Sequence, residues 1–201
     1  MSAVNSYAVS DEVLDVIFRE ARTANTFTDE PVTEAQLRDL YELVKCAPTA
    51  MNLQSLRIVF VQPGEKRDQL VTHMSDNNKP KTANAPMVAI LAADVDFHEH
   101  LERVFPHFPG AKNMYSDASR REVMARSQAW LQAGFFIAAV RTLGLAAGPM
   151  LGFNADSLDE DFFAGTSLKS ICVINLGKPG ADAWREPRLP RLDFAEAVSI
   201  V

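Results

Sequence analysis

Few residues in this 201-residue chain have the types and spacings that nucleophilic or metal chemistry requires. No Gly-x-Ser-x-Gly turn presents a serine, and no cysteine–histidine signature is apparent. Of the four histidines, His73, His98, His100 and His107, only His98 and His100 are close in sequence. Residues two apart on a helix do not face each other, so no metal site is expected there. Dinucleotide and nucleotide fingerprints are absent, and Gly148-Pro149-Met150-Leu151-Gly152 fits neither pattern. What remains are four polar clusters: Arg22 to Asn25, Pro48 to Gln54, Asn77 to Lys81, and Arg185 to Pro190. Each alone suits an ordinary cap or turn, where Asn, Thr and Pro are favoured.

The elements that must position these clusters follow from periodicity. Ser10 is a good N-cap for a first helix marked by Val13, Leu14, Ile17, Phe18 and Ala21. Thr33-Glu34-Ala35-Gln36 is a capping box for a second, carrying Leu37, Leu40, Tyr41 and Val44 and ending near Ala47, before Pro48. Ile58 to Val61 reads as a strand, and Pro63 suits the first turn of a helix carrying Leu70, Val71 and Met74. Asp76 to Pro80 reads as polar loop, Met87 to Ala93 as a buried strand, and Asp94 to Val104 as a short helix. Ser119 to Leu143 is the longest helix, with Gly144 as its C-cap. Its middle, Trp130 to Val140, is apolar nearly all round and therefore expected to be central. Leu145 to Met150 leads into a Gly-Pro loop. Asp156 to Phe163 is a short helix, Ile171 to Leu176 a third buried strand, and Phe194 to Val198 a last short helix. No repeat or linker separates two cores, so one α+β or α/β three-layer domain over 1–201 is expected.

Composition narrows the function classes. A chain of this length buries about 70% of its unfolded surface and needs no disulfide or metal to fold. With 47% hydrophobic and 23% charged residues it is ordinary globular material. A net charge of −6 with scattered Lys and Arg argues against nucleic-acid binding and against a polybasic membrane anchor. The apolar stretch from Ala129 to Met150 is interrupted by Gln132, Arg141 and glycines, which suits a core helix rather than a membrane span. The N-terminus has no basic segment followed by an apolar one, so no secretory leader is expected. The two cysteines, Cys46 and Cys172, sit in apolar patterns outside any Cys-x-x-Cys. They are read as free, mostly buried thiols in a reducing, cytoplasmic compartment.

Taken in order, the clusters resemble the FMN-dependent nitroreductase family, over nearly the whole chain from Val13 to Val198. Ala21-Arg22-Thr23-Ala24-Asn25-Thr26-Phe27 is similar to that family's Arg-x-Ser-x-Arg/Lys-x-Phe segment, with Thr23 at the Ser and Phe27 at the aromatic position. Ala21 and Asn25 stand where two bases are usual, and Arg22, one position off, is expected to compensate toward the flavin phosphate. Pro48-Thr49-Ala50-Met51-Asn52-Leu53-Gln54 resembles a segment that meets the flavin from the partner subunit, although the usual Pro-Trp after it is missing. Asn78 and Lys81 match a region that bonds the pyrimidine edge. Pro149, Met150, Leu151 and Gly152 match a loop whose backbone approaches N5, with Leu151 where Glu is frequent. Arg188 matches a C-terminal phosphate-binding Arg.

Within that family the closest likeness is to the malonic semialdehyde reductases of pyrimidine degradation. It is carried by Gly148-Pro149-Met150, Gly152-Phe153, Phe162-Phe163-Ala164-Gly165, Leu168-Lys169-Ser170 and Arg188-Leu189-Pro190-Arg191-Leu192. The resemblance implies a nitroreductase-like three-layer α-β-α domain with elements swapped in a homodimer, the long apolar helix forming either the dimer core or a single-domain core. It implies bound FMN, NAD(P)H as co-substrate, and ping-pong hydride transfer to a small electrophile such as malonic semialdehyde, giving 3-hydroxypropionate. In such a scheme the cofactor does the chemistry, which accounts for the lack of a catalytic dyad. The alternatives are a general nitro or quinone reductase, a non-enzymatic flavin-binding protein, and a helical interaction domain without cofactor.

Overall fold

A computed structural model describes residues 9–201. The stretch to residue 8, on which part of the leader expectation falls, lies outside the described residues.

The centre is a four-stranded antiparallel sheet of β1 (Leu56–Val61), β2 (Met87–Asp94), β3 (Ala146–Met150) and β4 (Leu168–Gly177), in the order β1-β2-β4-β3. All of β2 and most of β4 are buried, because helices cover both faces. On one face lie α2 (Glu34–Val44) and α6 (Ala118–Thr142), where Leu40, Val44, Ala129, Ala133, Phe136 and Val140 meet Ile174 and Leu176. On the other lie α3 (Glu65–His73), α4 (Lys79–Asn84) and α7 (Ala155–Phe162), where Leu70, Met74, Leu158 and Met150 meet Val88, Ile90 and Val173. The three-layer α-β-α arrangement is the expected one. Three short helices complete it: α1 (Asp11–Leu14), continued by a π-helical turn over Asp15–Arg19; α5 (Leu101–Val104), which follows a 3-10 turn at Phe97–His100; and α8 (Phe194–Ala197).

Local chemistry explains the boundaries. Thr33 Oγ1 accepts from Gln36 N (3.3 Å) and Thr33 N donates to Gln36 Oε1 (2.9 Å), the capping box read from the sequence. Asp117 accepts from Arg120 N (2.9 Å) to start α6, and Gly144, at φ +71°, follows its end in the left-handed conformation.

Several expectations are corrected. The first helix stops at Arg19 rather than reaching Ala21, and Ser10 makes no side-chain cap bond. Gly64, not Pro63, precedes the first residue of α3. The loop expected to run to Pro80 already contains the start of α4, because Pro80 falls in a first turn, where a missing N–H costs nothing. The single helix expected over Asp94 to Val104 is a short 3-10 turn and α5. Gly148 and Pro149 lie in β3, an edge strand that tolerates a missing donor. The middle of α6 is buried on one side only: Phe136 is buried, while Trp130, Leu131 and Phe135 are exposed. Cys172 is buried, but Cys46 lies beyond the end of α2 and is exposed.

Candidate functional site

The segment after the first helix is built onto the free edge of β3. Ala24 N donates to Ala147 O (3.0 Å), and Asn25 N and Nδ2 donate to Ala183 O (3.0 and 3.3 Å). Thr28 N donates to Lys178 O, and Gly180 N to Thr26 O. Residues 24–28 thus run between β3 and the 178–183 loop, which presents Thr23 and Asn25 at one rim.

The C-terminal segment returns to the same rim. Arg188 Nη2 donates to Arg19 O (2.6 Å) and Ala21 O (2.8 Å), capping carbonyls left free at the end of the first helix. Arg22 donates to the Glu186 carboxylate and to Arg185 O (3.3 Å). Between the two segments opens a cavity of about 330 Å³ lined by Arg22, Thr23, Asn25, Lys81, Arg185, Arg188 and Arg191, among others. Among the described residues, Lys81, Arg185, Arg188 and Arg191 form no ion pair. Burial, and then the charge of Arg185, push the Lys81 ammonium below the usual lysine range. A concave surface lined by unpaired cations has a positive potential that attracts anions.

Lys81 is carried by α4, and α4 is fixed from below. Arg67 is buried and, among the described residues, has no carboxylate partner. Its guanidinium donates to Thr82 O (3.0 Å), Ala85 O (2.6 Å) and Val61 O, tying the end of α4 to β1. Its desolvated charge lowers its pKa to about 10. At the other end of α4, Asn78 Nδ2 donates to Gly152 O (3.1 Å), as does Ser75 N (2.9 Å). A Cβ on Gly152 would lie 2.6 Å from Ser75 Oγ and 2.7 Å from Asn78 Nδ2, so a larger residue here would have to displace the Asn78 side chain that bonds Gly152 O. Asn154 N, donating to His73 O (2.8 Å), holds the next turn of the chain. Leu151 is exposed and Pro149 half-buried. The Met150 side chain points into the core, with its Sδ near Thr82 Oγ1 and Asn175 Nδ2.

The remaining expected residues lie elsewhere. Pro48, Thr49, Ala50, Asn52 and Gln54 do not line the cationic cavity of their own chain. Ala50 N donates to Gln128 Oε1 (2.8 Å) on α6, Asn52 Nδ2 to Val104 O (2.7 Å), and Gln54 N to Thr49 Oγ1 (3.2 Å). Met51, Asn52 and Gln54 all have φ between 45° and 53°, a costly left-handed backbone held by these contacts. Gln54 lines a second cavity of about 490 Å³ with Arg57, His100, Arg103 and Gln132. His98 is buried beside Phe97 while His100 is exposed toward Asp94, so the two do not converge. One chain therefore assembles Arg22, Thr23, Asn25, Lys81 and Arg188 around one cavity, with Asn78 bonded to the Gly152 loop beside it, and leaves the 48–54 segment apart. The sequence reading placed Arg185 in a polar cluster and Arg191 in a matching string but gave neither a binding role, and it did not name Arg67. For the first two a signal existed: Arg185, Arg188 and Arg191 are three apart among prolines, the repeat of an extended left-handed chain.

Residues 18–178 match the model of the nitroreductase family. The chain belongs to the nitroreductase family. With that membership goes the enzyme class: it is an oxidoreductase. A Streptomyces griseus protein, provisionally named NADH dehydrogenase/NAD(P)H nitroreductase, is 53% identical over 188 residues, which are 93% of this chain and 95% of the relative. A Leptothrix cholodnii protein of the same provisional name is 46% identical over 98% of this chain and 100% of its own length. Among solved structures, an Exiguobacterium sibiricum nitroreductase in complex with FMN shares the fold at TM-score 0.81 and 15% identity, covering 96% of this chain and 99% of the other.

Proposed function

We propose that this nitroreductase-family chain is an FMN-dependent NAD(P)H oxidoreductase that works as a homodimer and reduces a small anionic electrophile, malonic semialdehyde, to 3-hydroxypropionate. The observation that carries the proposal is the cluster of unpaired cations, Lys81, Arg185, Arg188 and Arg191, around a cavity rimmed by Thr23 and Asn25. This donor set fits FMN: its phosphate brings about −1.5 to −2 charges and is best met by guanidinium forks. FMN would supply the two-electron carrier that coenzyme and substrate use in turn.

The chain's own residues place and charge the site. Arg188 offers positive charge to the phosphate, and Thr23 and Asn25 offer polar groups to the ribityl chain. Lys81, beside Asn78, offers an ammonium that favours negative charge on the reduced ring's pyrimidine edge. The backbone N–H groups of exposed Leu151 and half-buried Gly152 are offered to the N5 side, while the Gly152 carbonyl is held by Ser75 and Asn78. Five cations line the cavity; Glu186 offsets one, a flavin phosphate about two and the reduced ring one, which leaves roughly one uncompensated. That surplus favours a carboxylate-bearing substrate over a neutral nitroaromatic or quinone.

The dimer reading rests on apolar surface. Val123, Trp130, Leu131 and Phe135, spaced for one side of α6, are all exposed. So are Leu189, Leu192, Phe194, Val198 and Ile200 of the C-terminal segment. Exposed apolar residues grouped on one side of a helix are common where a partner covers them. A second copy laid on α6, with elements exchanged, would bring its Pro48, Thr49, Ala50, Asn52 and Gln54 to the cavity that the single chain leaves without them. Among the described residues no helix is long and apolar enough to cross a membrane. A cytoplasmic location is proposed on the two free cysteines.

The test is direct. The purified protein should carry a flavin absorbance band, bind one FMN per chain and run as a dimer. NADH- or NADPH-driven turnover should be faster, at equal concentration, with malonic semialdehyde than with nitrofurazone. A colourless protein that does not take up FMN overturns the cofactor assignment, and a preference for nitrofurazone overturns the substrate.

A further inference from the structure

The cation that the sequence assigns to the phosphate is already engaged. Arg22 donates to the Glu186 carboxylate, with its side chain 22% exposed, and also to Arg185 O. A guanidinium neutralised by a carboxylate offers a second anion little net attraction. Arg185 is in the opposite condition. Its backbone carbonyl is held by Arg22, so its main chain is anchored at the cavity rim. Its guanidinium lines the same cavity and, among the described residues, makes no hydrogen bond or ion pair. Arg188 spends Nη2 on the carbonyls of Arg19 and Ala21, which fixes the side chain and leaves Nε and Nη1 available.

We propose that Arg185, together with Arg188, is the phosphate-binding pair for FMN, and that the Arg22–Glu186 ion pair serves to anchor the main chain of Arg185. This assignment rests on the FMN reading above. It resolves an inconsistency in the sequence. Ala21 and Asn25 stand where bases are usual, and the replacement charge comes from the C-terminal segment, not from Arg22. Two guanidiniums balance a phosphate monoester near pH 7. Lys81 is then left free to act on the ring.

The test compares FMN with riboflavin, which lacks only the phosphate. FMN release on serial dilution of the holoprotein is followed by flavin fluorescence, and riboflavin affinity by competition. Wild type, Arg185→Gln, Arg22→Gln, Glu186→Gln and the double variant Arg185→Gln/Glu186→Gln are measured. A charge-assisted hydrogen bond contributes about 1.5–3 kcal/mol, so Arg185→Gln should weaken FMN about 10- to 100-fold while riboflavin changes less than about twofold. Arg22→Gln should weaken FMN less than Arg185→Gln does. The double variant should recover part of the loss, because Arg22 is then freed for the phosphate. Equal weakening of FMN and riboflavin, an FMN affinity unchanged in Arg185→Gln, or a larger loss in Arg22→Gln overturns the assignment. A wild type that binds neither flavin overturns the cofactor reading itself.

Discussion

Gly148 on β3 sits so close to Ala24 that a Cβ built on it would lie 2.6 Å from the Ala24 carbonyl oxygen. Ala24 N, in turn, donates to Ala147 O. The strand edge and the segment bearing Thr23 and Asn25 are therefore in backbone contact, and glycine is what allows it. Gly148→Ala must push the segment outward or bend the strand, since the clash is with backbone. Strain of this kind costs about 1–3 kcal/mol, or roughly 2–12 °C in melting temperature for a chain of this size. FMN affinity should fall with it, because Thr23 and Asn25 move with Ala24. Calorimetry and a flavin titration check both; a variant that melts and binds as wild type would show the contact to be slack.

Arg188 has two roles, and Arg188→Ala should reveal both. Its Nη2 bonds to Arg19 O and Ala21 O are lost in every state of the protein, flavin-bound or free. Bonds from a charged donor are worth about 1.5–3 kcal/mol each at most, less here where the side chain is partly exposed. The flavin-free variant should therefore melt several degrees below flavin-free wild type, with a further loss of FMN affinity. Arg188→Lys should restore part of the charge but not the two-carbonyl cap. Unchanged melting of the flavin-free Arg188→Ala protein would remove the capping role.

Much of this frame is legible in residue types. Thr33 and Gln36 announce α2 because capping is a contact between near neighbours, and Met87 to Asp94 announces a doubly covered strand because every side chain in it is apolar until the last. What escapes is decided by distant partners. Pro80 suits a first turn as well as a loop, and where α4 stops depends on Arg67 of another helix, whose guanidinium binds Thr82 O and Ala85 O. Gly148-Pro149 looks like a loop because neither residue favours a strand; only the edge position and the approach of Ala24 accommodate them. Arg22 looks free until Glu186, 164 positions away, is seen to hold it. The left-handed backbone at Met51, Asn52 and Gln54 carries no glycine to mark it. The candidate site was legible as a set of clusters, and the resemblance already set the 48–54 segment apart from the others; residue types and spacing alone did not, because the separation is made by contacts such as Ala50 N to Gln128 and Asn52 to Val104 O.

The cysteines provide a measurement of burial. Cys172 is 1% exposed, and burial raises its thiol pKa to about 11, with its Sγ against Met150 O. At pH 8 roughly one Cys172 thiol in a thousand is ionised, and the thiolate is the reactive form. A thiol reagent should therefore modify Cys46 in the native protein and reach Cys172 only in denaturant. The linkage sign follows from a raised acid pKa. Between about pH 9 and 11 the native state keeps a proton that the unfolded chain releases, so this group lowers stability as pH rises through that window, and has no effect below it. Rapid native labelling of Cys172, located by peptide mapping, would contradict the packing of β4.

The exposed side of α6 gives a prediction that couples assembly to the flavin. Leu131 is 44% exposed and lies between Trp130 and Phe135 on that side. In a lone chain, Leu131→Glu alters a surface position and should cost about 0.5 kcal/mol or less. In a dimer that covers α6 it buries an unpaired carboxylate, a penalty of several kcal/mol taken twice across a two-fold interface. Light scattering after size exclusion should then show a monomer where wild type is a dimer, with helical content preserved by circular dichroism. Flavin should be lost in the same step, because the monomer keeps Arg185 and Arg188 but has no second 48–54 segment beside them. A Leu131→Glu protein that stays dimeric would move the interface off this side of α6. A folded monomer that still holds one FMN per chain would instead show that the cavity between residues 22–25 and 185–191 is sufficient alone.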